Sequence, residues 1–219
     1  MIVDTIVLAG GRSRRLGGLD KTALVYNGQT LLDRAVEAAS GTRTVVVVGP
    51  TQLMRTSSRR QVIFTLERPP FGGPVAGVAA GVAALGGVQA PPSDVTLVVA
   101  GDLAHPEEAV AGLLEVASRS GGRPPLHDGF VGVDGGGHRQ YLLACYRTDS
   151  LARALDGLPD GGRGVSMRAL TADLHLDEVT LREGLTEDVD TWDDAARIGV
   201  VRAASQEGKE AFRWTTGTP

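Results

Sequence analysis

The chain has 219 residues, 42% hydrophobic and 22% charged, enough for a sizeable core within one ordinary globular domain. A formal net charge of −4 with no long basic block argues against a general nucleic-acid surface. The single cysteine, Cys145, cannot form an internal disulfide, and no apolar run approaches the roughly 18 residues of a membrane span. No basic segment leads into the short apolar run at Ile2, so the expectation is a cytoplasmic protein without a secretory leader.

Residues 2–8, interrupted only by Asp4 and Thr5, read as a buried strand. Ala9, Gly10 and Gly11 follow directly, and Arg12, Ser13, Arg14, Arg15 and Lys21 come next. Glycine lets the backbone approach a ligand closely, and successive N–H groups in such a turn make a concave anion site. Four cations crowded into this stretch of an acidic chain point to a polyanionic small ligand, with a nucleoside triphosphate the natural candidate. Neither G-x-x-x-x-G-K-[ST] nor G-x-G-x-x-G is present.

Residues 22–26 read as extended and Asn27-Gly28 as a turn. Thr30 opens a helix whose Leu31, Leu32, Ala35, Val36 and Ala39 share one face, and the Thr30/Asp33 pair resembles a capping box. Residues 45–48 form a β-branched strand buried on both faces, and 61–66 form a third strand. Residues 67–74 are rich in turn formers and lead into an Ala/Gly helix over 75–85. Residues 96–100 are a fourth strand, with Gly101 and Asp102 at its carboxyl end. Pro106 suits the first position of a helix, Glu107 and Glu108 complement its dipole, and Val110, Leu113, Leu114 and Ala117 form its apolar face.

This alternation predicts a three-layer α/β/α fold on a mostly parallel, doubly wound, Rossmann-like sheet. Ligands of such sheets bind outside the carboxyl ends of the strands, where the glycine-rich loop and Asp102 both fall. Further on, residues 130–133 and 141–146 pair as strands around a Gly-rich turn at 134–138. Asp149 caps a helix through Leu155, a short helix covers 166–170 and a short strand 174–176. Thr191 with Asp194 makes a capping box for a helix reaching about Arg202. One domain over residues 1–202 with a tail over 203–219 is therefore expected.

Asp102 ends an uncharged strand, where a carboxylate either holds Mg²⁺ or caps the next helix, the two not being exclusive. In the acidic group at 187–191, extended backbone puts Asp188 and Asp190 on one side, as metal ligands or as residues that orient the turn. The histidines, His105, His127, His138 and His175, have no metal-ligand spacing in sequence. His138 beside Arg139 is either a solvated turn residue or a contact for an acceptor phosphate. Ser13 and Ser166 lack a G-x-S-x-G context, and Cys145 reads as a small apolar residue on a strand.

The run L-A-G-G-x-S-x-R-x-G from Leu8 to Gly17, followed by Asp20-Lys21, resembles the opening of the MobA-like nucleotidyltransferases. Gly73-Pro74-x-Ala76-Gly77 resembles their G-P-L-A-G motif, and the strand ending at Asp102 resembles the one that ends in their metal-binding aspartate. His138-Arg139-Gln140 through Ala144-x-Tyr146 is similar to their R-x-Q-P-L-x-A-x-Y segment, and residues 188–194 to their closing acidic box. The resemblance implies a sheet of the nucleotide-diphospho-sugar transferase type. It implies nucleotide contacts from Leu8, Ala9, Gly10, Gly11, Ser13, Lys21, Glu67, Pro74, Gly77 and Asp102. Arg15, Lys21 and Asp102 would carry the chemistry, and Mg²⁺ would sit on Asp102 and Asp188.

The implied reaction transfers GMP from GTP to molybdopterin with release of pyrophosphate. Its alternatives are cytidylyl transfer to molybdopterin, nucleotidyl transfer to another phosphorylated metabolite, or a non-catalytic nucleotide-binding protein. No membrane partner is implied, and a monomer and a homo-oligomer are both compatible. The chain departs from the family pattern at Glu67, where many relatives have aspartate, at Gly101, at residues 103–106 and at Tyr141.

Overall fold

A computed structural model of the chain describes residues 1–10, 20–50, 62–119, 127–189 and 191–202. In chain order the elements are β1 (Val3–Leu8), a 3-10 turn (Lys21–Ala23), β2 (Val25–Tyr26), β3 (Gln29–Thr30), α1 (Leu31–Ala38), β4 (Val45–Val48) and β5 (Val62–Thr65). There follow α2 (Pro74–Gly86), β6 (Val95–Ala100), α3 (Pro106–Ser118), β7 (Gly129–Val133), β8 (Arg139–Arg147) and α4 (Thr148–Asp156). The last are α5 (Met167–Leu170), β9 (Leu176–Thr180) and α6 (Trp192–Ile198).

Among the described residues, the central sheet has seven strands in the order β5-β4-β1-β6-β8-β7-β9. β5, β4, β1 and β6 are mutually parallel, and β8 pairs antiparallel with both β6 and β7. β9 then runs parallel to β7. The mostly parallel sheet agrees with the strand–helix alternation in the sequence. The reversed strand follows from the tight turn after β7, which allows a hairpin but not a crossover.

Strand alternation divides the core into two layers. Val7, Val45, Val47, Leu97 and Val99 face α1 and α3 with Leu32, Val36, Val110 and Leu113. Val98, Ala144 and Tyr146 face the other way, against Val75, Val78, Leu151 and Met167 of α2, α4 and α5, and Ile6, Val46 and Val48 also pack under α2. α2 comes close because Gly77 and Gly81 carry no Cβ: at Gly81 one would meet Ile6 Cγ2 at 2.7 Å.

The two polar residues of β1 are satisfied within the fold. Asp4 is buried and accepts two bonds from the Arg43 guanidinium, 3.0 Å from Nε and 2.6 Å from Nη2. Thr5 Oγ1 lies 2.9 Å from Thr42 Oγ1, which donates in turn to Ala39 O. A buried charge with a bidentate partner avoids the desolvation penalty of an unpaired one.

Several boundaries differ from the sequence reading. Asp20 accepts from Thr22 N and Oγ1 and turns residues 21–23 into a 3-10 helix before the extended pair. α4 starts at Thr148, so Asp149 lies in its first turn and not at its cap. β9 extends to Thr180 because it follows β7 in register over five residue pairs. α6 stops at Ile198, since Gly199 adopts a left-handed φ of 86°. Val201 then bridges back to Val25, closing a cluster with Leu24, Leu31, Val189, Ala195 and Val200. The tail over 203–219 lies outside the described residues.

Candidate functional site

The carboxyl ends of β1 and β6 are adjacent, with Leu8 opposite Ala100 in the ladder. Gly101 N donates to Leu8 O at 2.8 Å, and Ala9 N donates to Val48 O at 2.8 Å. The Leu8 carbonyl and the Ala9 N–H are therefore committed to the sheet, and Gly10 beyond them is exposed. Gly11, Arg12, Ser13, Arg14 and Arg15 lie outside the described residues.

Lys21 leaves the short helix capped by Asp20 and reaches across to Asp102, Nζ to Oδ2 at 3.6 Å. Both side chains keep limited solvent access, 17% for Lys21 and 24% for Asp102. α3 begins from His105 without a side-chain cap, so Asp102 is not its N-cap. Burial raises the Asp20 carboxyl above its ordinary value, only partly offset by its bonds to Thr22.

The loop after Asp102 is fixed from two directions. Leu103 forms an isolated antiparallel bridge with Asp188, and Ala104 N donates to Glu187 O at 3.1 Å. From α1, Arg34 donates to Ala104 O at 3.3 Å and pairs with Glu107 at 2.9 Å. Its guanidinium also lies 4.9 Å from the Tyr26 ring centroid, and that ring meets His105 edge-on. Nothing in the local pattern around Arg34 signals this role.

Asp188 and Leu103 line one end of a cleft of about 550 Å³. Pro74 and Ala100 border it, and Asp134, Arg139, Gln140, Tyr141, Met167 and Arg168 form the rest of the wall. Of the neighbouring acids, Glu187 is paired with Arg197 at 2.6 Å and Asp194 closes the capping box with Thr191. Asp190 lies outside the described residues. Asp188 is thus the described acid of this group that reaches the cleft.

The β7–β8 turn also lines the cleft, through Asp134. Asp134 accepts from Gly136 N and His138 N at 2.9 Å each, and Gln140 Nε2 donates to its other oxygen at 2.9 Å. These bonds hold the Asp134 carboxyl below its ordinary value, the one from His138 N contributing most. Arg139 pairs with Glu178 of β9 at 2.8 Å. His138 sits in this turn, exposed, 3.3 Å from Asp134 Oδ1.

Of the expected site residues that are described, Pro74 and Asp188 line this cleft; Lys21 and Asp102 meet each other without being among its lining residues, and Glu67 and Gly77 stand elsewhere. Glu67 Oε1 accepts from Phe71 N at 3.0 Å and, with Arg68, Asp160 and Arg163, borders a separate pocket of about 160 Å³. Gly77 is buried within α2, where a Cβ would lie 3.1 Å from Leu8 Cδ2, so its observed contact is packing. Pro74, at the first turn of the same helix, does border the cleft. Cys145 is fully buried in β8 and its thiol is pushed up to about 12, which rules out a thiolate nucleophile at neutral pH. No described helix is long and apolar enough to cross a membrane.

Residues 5–179 match the family described as MobA-like NTP transferase domain. A molybdenum cofactor guanylyltransferase of Acidiphilium cryptum is 33% identical over 164 residues, covering 69% of this chain and 72% of its own. One from Shewanella sp. strain MR-4 is 26% identical over 162 residues, covering 73% and 76%. Among solved structures, molybdopterin-guanine dinucleotide biosynthesis protein A from Archaeoglobus fulgidus superposes with a TM-score of 0.59 at 23% identity, over 89% of this chain and 96% of that one. A nucleotidyl transferase from Methanothermobacter gives a TM-score of 0.67 at 21% identity, over 90% and 95%. At these identities the two structures speak to the fold.

Proposed function

Since the chain belongs to the MobA-like NTP transferase family and is a nucleotidyltransferase, we propose that it transfers GMP from GTP to molybdopterin and releases pyrophosphate. The observation that carries this reading is the meeting of Lys21, Asp102 and the Leu103–Asp188 bridge at the carboxyl ends of β1 and β6, beside a cleft lined by Arg139 and Arg168. The cleft itself is lined by Asp134 and Asp188 together with Arg139 and Arg168.

An oxygen of the acceptor's phosphate attacks the α-phosphorus of the nucleotide in line. The new P–O bond forms as the bond from the α-phosphorus to the β-bridging oxygen breaks, and pyrophosphate departs with that electron pair. The acceptor phosphate is already ionised near neutral pH, so no protein nucleophile is needed. Catalysis then consists of positioning and charge stabilisation. Lys21 exchanges its contact with Asp102 for the triphosphate and the departing pyrophosphate, and Arg15 joins it from the glycine-rich loop. Gly10 and the residues after it offer N–H groups to the phosphates. Arg139, Gln140 and Arg168 meet the polar and anionic groups of the acceptor.

Asp102 and Asp188 are hard oxygen donors on neighbouring segments, which suits Mg²⁺. When bound there, the ion supplies charge neutralisation at the phosphates. The GMP donor rests on the names of the relatives at 26–33% identity. The acidic Asp188/Asp190 pair in the sequence resembles the form of the cytidylyltransferase branch more than the N-x-N form common in guanylyltransferases, which favours CTP as the second reading.

Heat scans with GTP, CTP, ATP and UTP, each with and without Mg²⁺, test the donor, because a ligand of the native state raises its apparent stability. Stabilisation by GTP with Mg²⁺, and pyrophosphate release on adding molybdopterin, is the expected result. A preference for CTP selects the second reading. Nucleotide binding without pyrophosphate release in the presence of molybdopterin overturns molybdopterin as the acceptor.

A further inference from the structure

A second group of ligand-type side chains lies at the other end of the sheet. His127 precedes β7, His175 precedes β9, and Asp177 is the second residue of β9. Each offers one ligand atom, and these atoms all lie within 4.8 Å of one another. Among the described residues, this is the group in which three His, Cys, Asp or Glu side chains converge so closely. His127 and Asp177 are 50 residues apart in the chain, so spacing hides the relationship. The parallel pairing of β7 with β9 creates it, with Gly129 opposite Leu176 and Phe130 opposite Asp177. Strand alternation brings residues 175 and 177 to one face.

The group is braced by the backbone between its members. Asp128 N donates to His175 O at 2.9 Å, and His175 N donates back to Asp128 Oδ2 at 2.8 Å. The other Asp128 oxygen accepts from Ser150 Oγ at 2.6 Å, which ties this corner to α4. The two imidazoles stack with centroids 4.1 Å apart and planes 3° from parallel. His127 Nδ1 lies 3.0 and 3.1 Å from the two oxygens of Asp177.

We propose that His127, His175 and Asp177 bind a divalent cation of borderline softness, of the Zn²⁺ class, that clamps the edge strand β9 onto the start of β7. Two imidazoles and one carboxylate are a donor set suited to Zn²⁺ and its transition-metal neighbours, whereas Mg²⁺ prefers oxygen alone. Donors about 2.0–2.2 Å from a tetrahedral ion lie roughly 3.3–3.5 Å from each other. The His127–Asp177 pair is already near that separation, and both rings are exposed and able to turn toward a shared ion. The site lies at the amino ends of β7 and β9, one strand length of ~20 Å from Asp102. Its effect is therefore on stability and not on phosphoryl chemistry, and it stands independently of the proposed reaction.

The experiment titrates untagged protein with Zn²⁺ by calorimetry in excess Mg²⁺, which keeps the cleft carboxylates occupied. Heat scans and Co²⁺ absorption spectra accompany the titration. Wild type and Asp102→Asn are expected to bind one equivalent, gain thermal stability and develop visible Co²⁺ ligand-field bands. His175→Ala and Asp177→Asn, both surface changes, should lose affinity at least tenfold and lose the bands, since even an outer-shell loss costs about 10–100-fold. Circular dichroism checks that these variants are folded. Equal Zn²⁺ binding by wild type and His175→Ala, loss of binding in Asp102→Asn alone, or millimolar binding throughout overturns the site.

Discussion

Leu103 and Asp188 face each other in an isolated antiparallel bridge, so the main chain next to Asp102 is registered against a segment from much later in the sequence. One backbone pairing thereby links the two carboxylates proposed as metal ligands. Asp188→Asn keeps that pairing and removes the charge. The expected result is a raised Mg²⁺ requirement and turnover lower by about 10²–10³, comparable to the loss of one preorganised electrostatic contact. The melting temperature should move by no more than about 2 °C. Pyrophosphate release measured against Mg²⁺ concentration is the check, and an unchanged Mg²⁺ dependence would remove Asp188 from the ligand set.

Arg34 is the brace on the other side of the same loop. Its side chain is only 11% exposed and serves Ala104 O, Glu107 and the Tyr26 ring together. Arg34→Ala leaves the Ala104 carbonyl and Glu107 without that partner, a loss of about 1–3 kcal/mol. Arg34→Lys keeps the charge but not the planar fork, and should recover only part of the stability. Chemical denaturation of both variants tests this, and full recovery by lysine would reduce the role of Arg34 to its charge.

Gly101 has no room for a side chain. A Cβ there would lie 2.9 Å from Leu8 O and 3.4 Å from both Thr22 Cγ2 and Val7 Cγ1. Gly101→Ala must push the end of β6 away from β1 and carry Asp102 with it. We expect a stability loss of about 1–3 kcal/mol together with reduced turnover. Gly41→Ala, where a Cβ would meet nothing within 4 Å, serves as the silent control.

Asp20 and Asp128 should respond to acid in opposite senses. The Ser150 hydroxyl and the His175 N–H lower the Asp128 carboxyl below its ordinary value of 3.8. Its stabilisation is complete above that unfolded value and is lost as pH falls through the lower folded one. Burial raises Asp20 above the same 3.8, so its stabilisation is complete below that value and is lost as pH rises through the folded one. Denaturant melts between about pH 3 and 7 should show wild type losing its advantage over Asp128→Asn at the acid end. Asp20→Asn should gain on wild type as pH rises over the same range.

The parts of this molecule written in local pattern were legible in its sequence. The β-branched run at residues 45–48, the apolar face of α1 and the Thr191–Asp194 capping box each occupy a few consecutive residues, and each formed where expected. The adjacency of Gly10 and Asp102 beyond two strand ends was legible, because a parallel sheet sends the carboxyl ends of β1 and β6 the same way. What was not legible depends on pairs distant in the chain. The contacts of Arg34 with Ala104 and Glu107, the bridge from Leu103 to Asp188, and the approach of His127 to His175 arise only after strands have been assigned neighbours. α6 was read too long because apolar periodicity continues past a glycine whose left-handed backbone ends the helix. Glu67 was assigned by analogy with a shorter acid, and the bond its carboxylate accepts from Phe71 N, four residues on, was not read from the sequence.

The reversal of β8 has a consequence for how this scaffold diversifies. A parallel successor to β7 would have required a crossover returning to the far end of the sheet, whereas the hairpin keeps the chain on the ligand side. Residues 134–138 form an exposed turn beside the cleft, and Asp134 organises it through its own neighbours. A turn of this kind can lengthen, shorten or exchange residues while the β7–β8 ladder keeps its register below it. This part of the cleft lining is thus separable from the carboxylates proposed as metal ligands, and under the proposed function acceptor preference can change by substitution within a few residues without rebuilding the sheet.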